Sequence, residues 1–106
     1  MPESSDRGAL TEAVFYILLS LYKPMHGYMI MQNINKLTHG RVSLGAGTLY
    51  GAINTLLSKK WIECIDNKTN SRKKVYVITE SGKQTLENEL ERLKELLSNG
   101  AEIIRG

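Results

Sequence analysis

The stretch Leu44–Lys60, LGAGTLYGAINTLLSKK, constrains this chain more than any other. Leu49, Ile53, Leu56 and Leu57 stand at i, i+4, i+7 and i+8, an apolar stripe of helical period. Gly47, Thr48, Gly51, Asn54, Thr55 and Ser58 fall on or beside the other face. That face is small, neutral and able to hydrogen-bond, without the Glu/Lys pattern of an ordinary solvated helix. It suits a helix that lies close against something polar. Lys59 and Lys60 follow it, which fits a helix C-terminus and would also fit a polyanion.

The rest of the chain reads as machinery for presenting that helix. A helix is expected from about Leu10 to Tyr22, with Phe15 in a middle that is apolar nearly all round. So much apolar surface on one helix of a 106-residue chain calls for a second chain against it. Lys23-Pro24 should end it, because proline disfavours helix before it. A second helix is expected from His26 to Leu37, with Ile30, Ile34 and Leu37 facing inward and Gly40 as the left-handed residue after its end. After the helix over Leu44–Lys60 come two β-type runs, Trp61–Ile65 and Lys74–Ile78. The loop between them is made of turn-formers and cations. Thr79 reads as the N-cap of a last helix from Glu80 to about Asn99. On it Leu86, Leu90, Leu93 and Leu97 form a seam spaced 4, 3, 4, with Glu89 among the charged residues covering the remainder.

Charge follows the same division. Residues 1–79 carry ten Lys/Arg against five Asp/Glu, and residues 80–106 carry four against six, which together make the net +3. One cysteine, Cys64, allows neither an internal disulfide nor a thiolate metal site and fits a reducing compartment. The N-terminus lacks the form of a signal peptide, and the longest apolar run, Ala13–Tyr22, is too short to span a bilayer. A cytoplasmic protein is expected, with no metal and no cofactor.

Three helices, a hairpin and a long helix make a mainly α protein with a small β-hairpin. The layout is that of a winged helix-turn-helix over 1–79 with a C-terminal dimerisation helix over 80–106. In it the third helix enters the major groove and the hairpin lies along the backbone of double-stranded DNA. The resulting candidates for DNA contact are Thr48, Tyr50, Gly51 and Asn54 on the helix and Lys59, Lys68, Arg72, Lys73 and Lys74 around it. Tyr50 also reads equally well as a core residue. Phe15, Leu86, Leu90, Leu93 and Leu97 are the candidates for dimerisation.

Leu10–Leu21 with Pro24–Tyr28 (PMHGY), Leu44–Leu56 (LGAGTLYGAINTL) and Arg72–Gly82 (RKKVYVITESG) resemble the PadR family of bacterial transcriptional regulators. The resemblance covers most of the chain in the family's order, and the single last helix resembles the family's compact subgroup. It implies a homodimeric repressor of a detoxification, stress-response or transporter gene, acting at a palindromic operator. It also implies a small aromatic inducer as a candidate partner, bound in some compact members through a tryptophan of the last helix. Here the only Trp is Trp61, and Leu86–Leu97 holds no aromatic residue.

Other chemistries find less support. Gly45, Gly47 and Gly51 come near a dinucleotide fingerprint, but no buried strand of a βαβ unit precedes them. His26 and His39 lack a carboxylate cluster at ligand spacing. Cys64, alternating in a strand, reads as a small core residue before it reads as a nucleophile or redox switch. Met25, Met29 and Met31 with Tyr16 and Phe15 read as core filler before a ligand pocket. Two rival functions remain: a winged helix used for protein contact without DNA, and an enzyme built on Cys64 and a histidine.

Overall fold

The computed structural model describes residues 9–65 and 74–106. Over these the chain forms α1 (Glu12–Ser20), β1 (Met25–His26), α2 (Gly27–Leu37), α3 (Ala46–Ser58), β2 (Ile62–Ile65), β3 (Val75–Ile78) and α4 (Glu80–Arg105). Local chemistry sets most of the boundaries. The Thr11 side chain caps α1 by accepting from the Val14 N–H, and α1 stops short of Pro24. The His26 ring accepts from the Met29 N–H at the start of α2. Thr79 caps α4, accepting from the Gly82 N–H at 3.1 Å.

Ile17, Leu18 and Leu21 of the first helical segment are fully buried with Ile30 and Ile34 of α2 and Leu49, Ile53 and Leu56 of α3. Ile62, Tyr76 and Ile78 close this core from the sheet, and Leu86 from α4. The apolar stripe expected over Leu44–Lys60 is therefore the core face of α3, and the opposite face is open. Leu86 is a correction to the dimerisation set. It is 4% exposed in its own chain, whereas Leu90, Leu93 and Leu97 are 48%, 37% and 70% exposed.

Three further expectations are corrected. The sheet has three strands in the order β1–β3–β2, antiparallel throughout, not two. Met25 pairs with Tyr76 and His26 with Val75, a two-residue strand too short to show a period in the sequence. Cys64 is exposed rather than core: β2 buries Ile62 and then runs clear of the helices, so its later residues face solvent. Glu89 is buried, not part of a solvated face. It accepts from the Leu10 N–H at 3.1 Å and from two nitrogens of Arg92 at 2.8 and 2.7 Å.

The left-handed residue that ends α2 is His39 (φ 53), one place earlier than expected, with Gly40 (φ 81) after it. The Gly40 N–H donates to the Asn35 carbonyl and the His39 N–H to the Lys36 carbonyl, the paired bonds of a Schellman turn. The end of α3 repeats the device. Trp61 donates to Leu56, Lys60 to Leu57, and Lys60 takes the left-handed place (φ 63).

The last helix continues through Gly100 to Arg105, about 39 Å at 1.5 Å per residue. Its far half projects as an arm. The radius of gyration is accordingly 15.4 Å, against about 13 Å for a compact chain of this length.

Candidate nucleic-acid interface

The open face of α3 carries Gly47, Thr48, Gly51, Asn54, Thr55 and Ser58, all exposed. No charged side chain interrupts it between Ala46 and Ser58. The Thr55 hydroxyl donates to the Gly51 carbonyl of its own helix, which leaves Thr48, Asn54 and, at the helix end, Ser58 as the side chains able to donate outward. Among the described residues nothing lies within 4 Å of where a Cβ would stand on Gly47 or Gly51, so the backbone there can be approached closely from outside.

The turn before α3 is tightly tied. The Thr38 hydroxyl donates to the Ile34 carbonyl at 2.9 Å and accepts from the Val42 N–H at 3.0 Å. Arg41, in the same turn, donates to both carboxylate oxygens of Glu12 at the start of α1, one of them at 3.2 Å. That hydrogen bonding is the main reason the Glu12 carboxyl lies below its ordinary range and the Arg41 guanidinium above its own. Arg41 was not among the sequence candidates, because its partner stands 29 residues away.

Tyr50 takes the core reading in part. It is 42% exposed, but its hydroxyl end sits over Gly27, where any Cβ would fall on it. The glycine of HGY and the tyrosine of GTLYG are thus one contact, which sets α2 against α3. Tyr50 also lies near Tyr76, whose phenol is pushed up chiefly by burial, with Cys64 and Tyr50 beside it adding to the effect.

Cations gather past the end of α3. The Lys59 ammonium stands 5.1 Å from the centre of the Trp61 ring, a cation–π contact that holds it at the helix end. Lys60 and Lys74 are exposed. Lys68, Arg72 and Lys73 lie outside the described residues. A second close contact involves Gly82: a Cβ there would meet the Trp61 carbonyl. The Thr-x-x-Gly of Thr79–Gly82 is therefore a cap and a packing point together.

The methionines do not form one pocket with Phe15. Met25 and Met29 line one depression, Met31 another, and Phe15 a third. That third one, of about 620 Å³, is a groove between α1 and α4 bordered by Phe15, Leu19, Tyr22, Leu86 and Leu90. Among the described residues no cluster of His, Cys, Asp or Glu could hold a metal ion, and no helix is long and apolar enough to cross a membrane.

Three helices with a tied turn before the third, a small sheet at their side and a capped long helix define a winged helix-turn-helix protein. The model of the transcriptional regulator PadR-like family matches residues 14–88, and the chain belongs to that family. It is a transcriptional regulator and not an enzyme. A PadR-family transcriptional regulator from Eggerthella lenta superposes with a TM-score of 0.68 at 26% identity, over 86% of this chain and 79% of that one. Bacillus subtilis PadR in complex with operator DNA superposes at 0.66 and 25% identity, over 76% of this chain and 47% of that one. A Streptomyces fradiae protein, described as an uncharacterized 37.1 kDa protein in transposon TN4556, is 35% identical over 66 residues. That match takes in 62% of this chain but 18% of the Streptomyces protein.

Proposed function

We propose that the protein is a homodimeric repressor that reads a palindromic operator with α3 in the major groove of each half-site. The observation that carries this is the face of α3. It is exposed, uncharged and glycine-bearing, and it is followed by Lys59 and Lys60. Thr48 and Asn54 are the base-edge contacts, and Gly51 allows the close approach. Lys59, Lys74 and the hairpin cations Lys68, Arg72 and Lys73 hold phosphates, which fixes orientation without reading sequence. Tyr50 acts by positioning α3. Asn54 can pair bidentately with adenine, and α3 has no arginine to read guanine, so DNA shape contributes to discrimination.

A single α3 spans a few base pairs. Two related by a two-fold axis reach half-sites about 34–36 Å apart. The exposed Leu90, Leu93 and Leu97, with Phe15 and Leu19 beside them, supply the surface for that second subunit. The regulated gene belongs to detoxification, stress response or transport, and the protein works in the cytoplasm. That a neighbouring fold, Bacillus subtilis PadR, forms a complex with operator DNA supports the same reading.

The test starts from DNA fragments that the purified protein recovers from random sequence. Asn54→Ala should weaken binding to the selected operator by about 1–3 kcal/mol and to random DNA much less. Circular dichroism would check that α3 stays helical. An equal loss on both DNAs would reduce Asn54 to a positioning residue. Failure to bind any DNA at low salt would favour the protein-contact reading.

A further inference from the structure

Leu86, Leu90, Leu93 and Leu97 are spaced 4, 3, 4 along α4. Because α4 runs unbroken to Arg105, the alternation continues 3, 4 to Gly100 and Ile104. The seam is therefore six positions long, and its fifth is a glycine. Among the described residues nothing calls for that glycine. It lies inside a helix, where glycine is destabilising relative to alanine, and a Cβ there would meet nothing within 4 Å. A mid-helix glycine with empty space above it suits the close approach of something outside the chain.

The seam is its own complement about a two-fold axis. Two copies of α4 set antiparallel, with the axis level with Glu95, bring Leu93 opposite the partner's Leu97. The same arrangement brings Leu90 opposite the partner's Gly100 and lays the partner's Ile104 over the groove that Leu86, itself buried in its own chain, lines. Large side chains then meet small ones or interleave, which is knobs-into-holes packing on an isologous interface. Leu96 meets the partner's Leu96 beside the axis. On the other side Lys94 faces the partner's Lys94, and each is drawn off to its own Glu91 at 3.5 Å. A parallel pairing would instead set glycine against glycine and leave a hole.

The surroundings fit a second copy. The partner's Ile104 arrives where the groove between α1 and α4 opens over Leu86 and Leu90. Leu96, Leu97, Ile103 and Ile104 are 52%, 70%, 82% and 82% exposed in the single chain. With Leu90 and Leu93 they put six exposed large apolar side chains on one arm, a contiguous apolar run of the kind that marks an interaction surface.

We propose that α4 pairs antiparallel with the partner's α4 about Glu95, with Leu90 seated on the partner's Gly100. This rests on the dimer reading above and adds its register. The test is sedimentation equilibrium on Gly100→Leu and on Leu90→Ala/Gly100→Leu. The single variant should raise the dimer Kd at least about tenfold, because two large side chains then compete for one layer. The double variant exchanges large and small within the same layer and should return the Kd to within a few-fold of wild type. In a Cys64→Ser background, chains carrying Leu90→Cys should form a disulfide with chains carrying Gly100→Cys and not with themselves. If the wild type is a dimer but Gly100→Leu leaves it unchanged or tighter, the register is overturned and the dimer stands. If the double variant is as weak as the single one, Leu90 does not face Gly100. A monomeric wild type would overturn both readings.

Discussion

Glu89 gives the sharpest test of how the winged domain holds its last helix. It is 5% exposed and sits against the start of the first helix, where it accepts from the Leu10 N–H at 3.1 Å. Arg92, one turn further along α4, donates to both of its oxygens. The Arg92 hydrogen bonds are the largest cause of a Glu89 carboxyl held below its ordinary range, with the Leu10 N–H adding to it and burial opposing. Glu89→Gln keeps one acceptor but turns an amide N–H toward the guanidinium. Hydrogen bonds to a charged group are each worth about 1.5–3 kcal/mol, and Arg92 can recover part of its loss by turning to water. A net destabilisation of about 2 kcal/mol at pH 7 is expected, read by urea unfolding at one fixed protein concentration. The sign with pH follows from the direction of the shift. A carboxyl that titrates lower in the folded state contributes its stability in full above the ordinary glutamate pKa of about 4.3. That contribution is lost as the pH falls through the folded-state value. The difference between wild type and Glu89→Gln should therefore shrink on acidification below about pH 4. A difference that is constant from pH 7 to pH 3, or a variant as stable as wild type at pH 7, would refute the role given to this carboxylate.

Gly82→Ala sets a Cβ against the Trp61 carbonyl, which is backbone and cannot turn aside. Overpacking of about 1–3 kcal/mol should exceed the helix-propensity gain of up to about 1 kcal/mol, and thermal unfolding should show a lower Tm. His39→Gly and Lys60→Gly each relieve a left-handed backbone at a helix end and should stabilise by about 1 kcal/mol in the same assay. A loss of stability in either would mean that its side chain makes a contact outweighing the backbone strain.

How much of this was legible in the sequence depends on how far apart the partners stand. Periodicity alone places the core face of α3, the inward stripe of α2 and the open leucines of α4. Their partners lie within the same helix turn pattern, and burial bears them out except at Leu37, expected inward with Ile30 and Ile34, which stands at the last residue of α2 and is 49% exposed. The helix starts at His26 and Thr79 act over three residues and leave local signatures, whereas the Thr11 cap begins α1 at Glu12, later than the expected Leu10. What was not legible is contact between distant segments. Glu89 looks like a surface residue until Leu10 is brought to it across 79 residues. β1 has two residues and exists only because β3 lies alongside. Leu86 belongs to the same spacing as Leu90 and Leu97, and only the crossing of α1 over that end of α4 separates a core residue from an open one. The candidate site divides in the same way. The polar face of α3 follows from spacing, whereas the seating of Tyr50 on Gly27 joins two motifs that sequence reading treats as separate.

The same distant contacts connect the arm to α3. The Thr79 hydroxyl that caps α4 also donates to the Lys60 carbonyl at 2.7 Å, and the Thr79 N–H donates to the Trp61 carbonyl at 3.0 Å. Lys60 and Trp61 are the residues that finish α3 in its Schellman turn. The first turn of α4 and the last turn of α3 are thus bonded to each other, and Gly82 lets them close without a side chain between them. At the other end of α3, Arg41 ties the entering turn to Glu12 of α1, the helix that borders the groove beside the leucine seam. Both ends of α3 are therefore held by elements that carry the proposed dimer surface. On the dimer reading, the angle between the two arms sets the distance between the two copies of α3 on the operator, and a shift of α1 against α4 would reach α3 from both ends. Half-site spacing becomes a property of the seam, which is why the register of Leu90 on the partner's Gly100 bears on which operators the protein accepts.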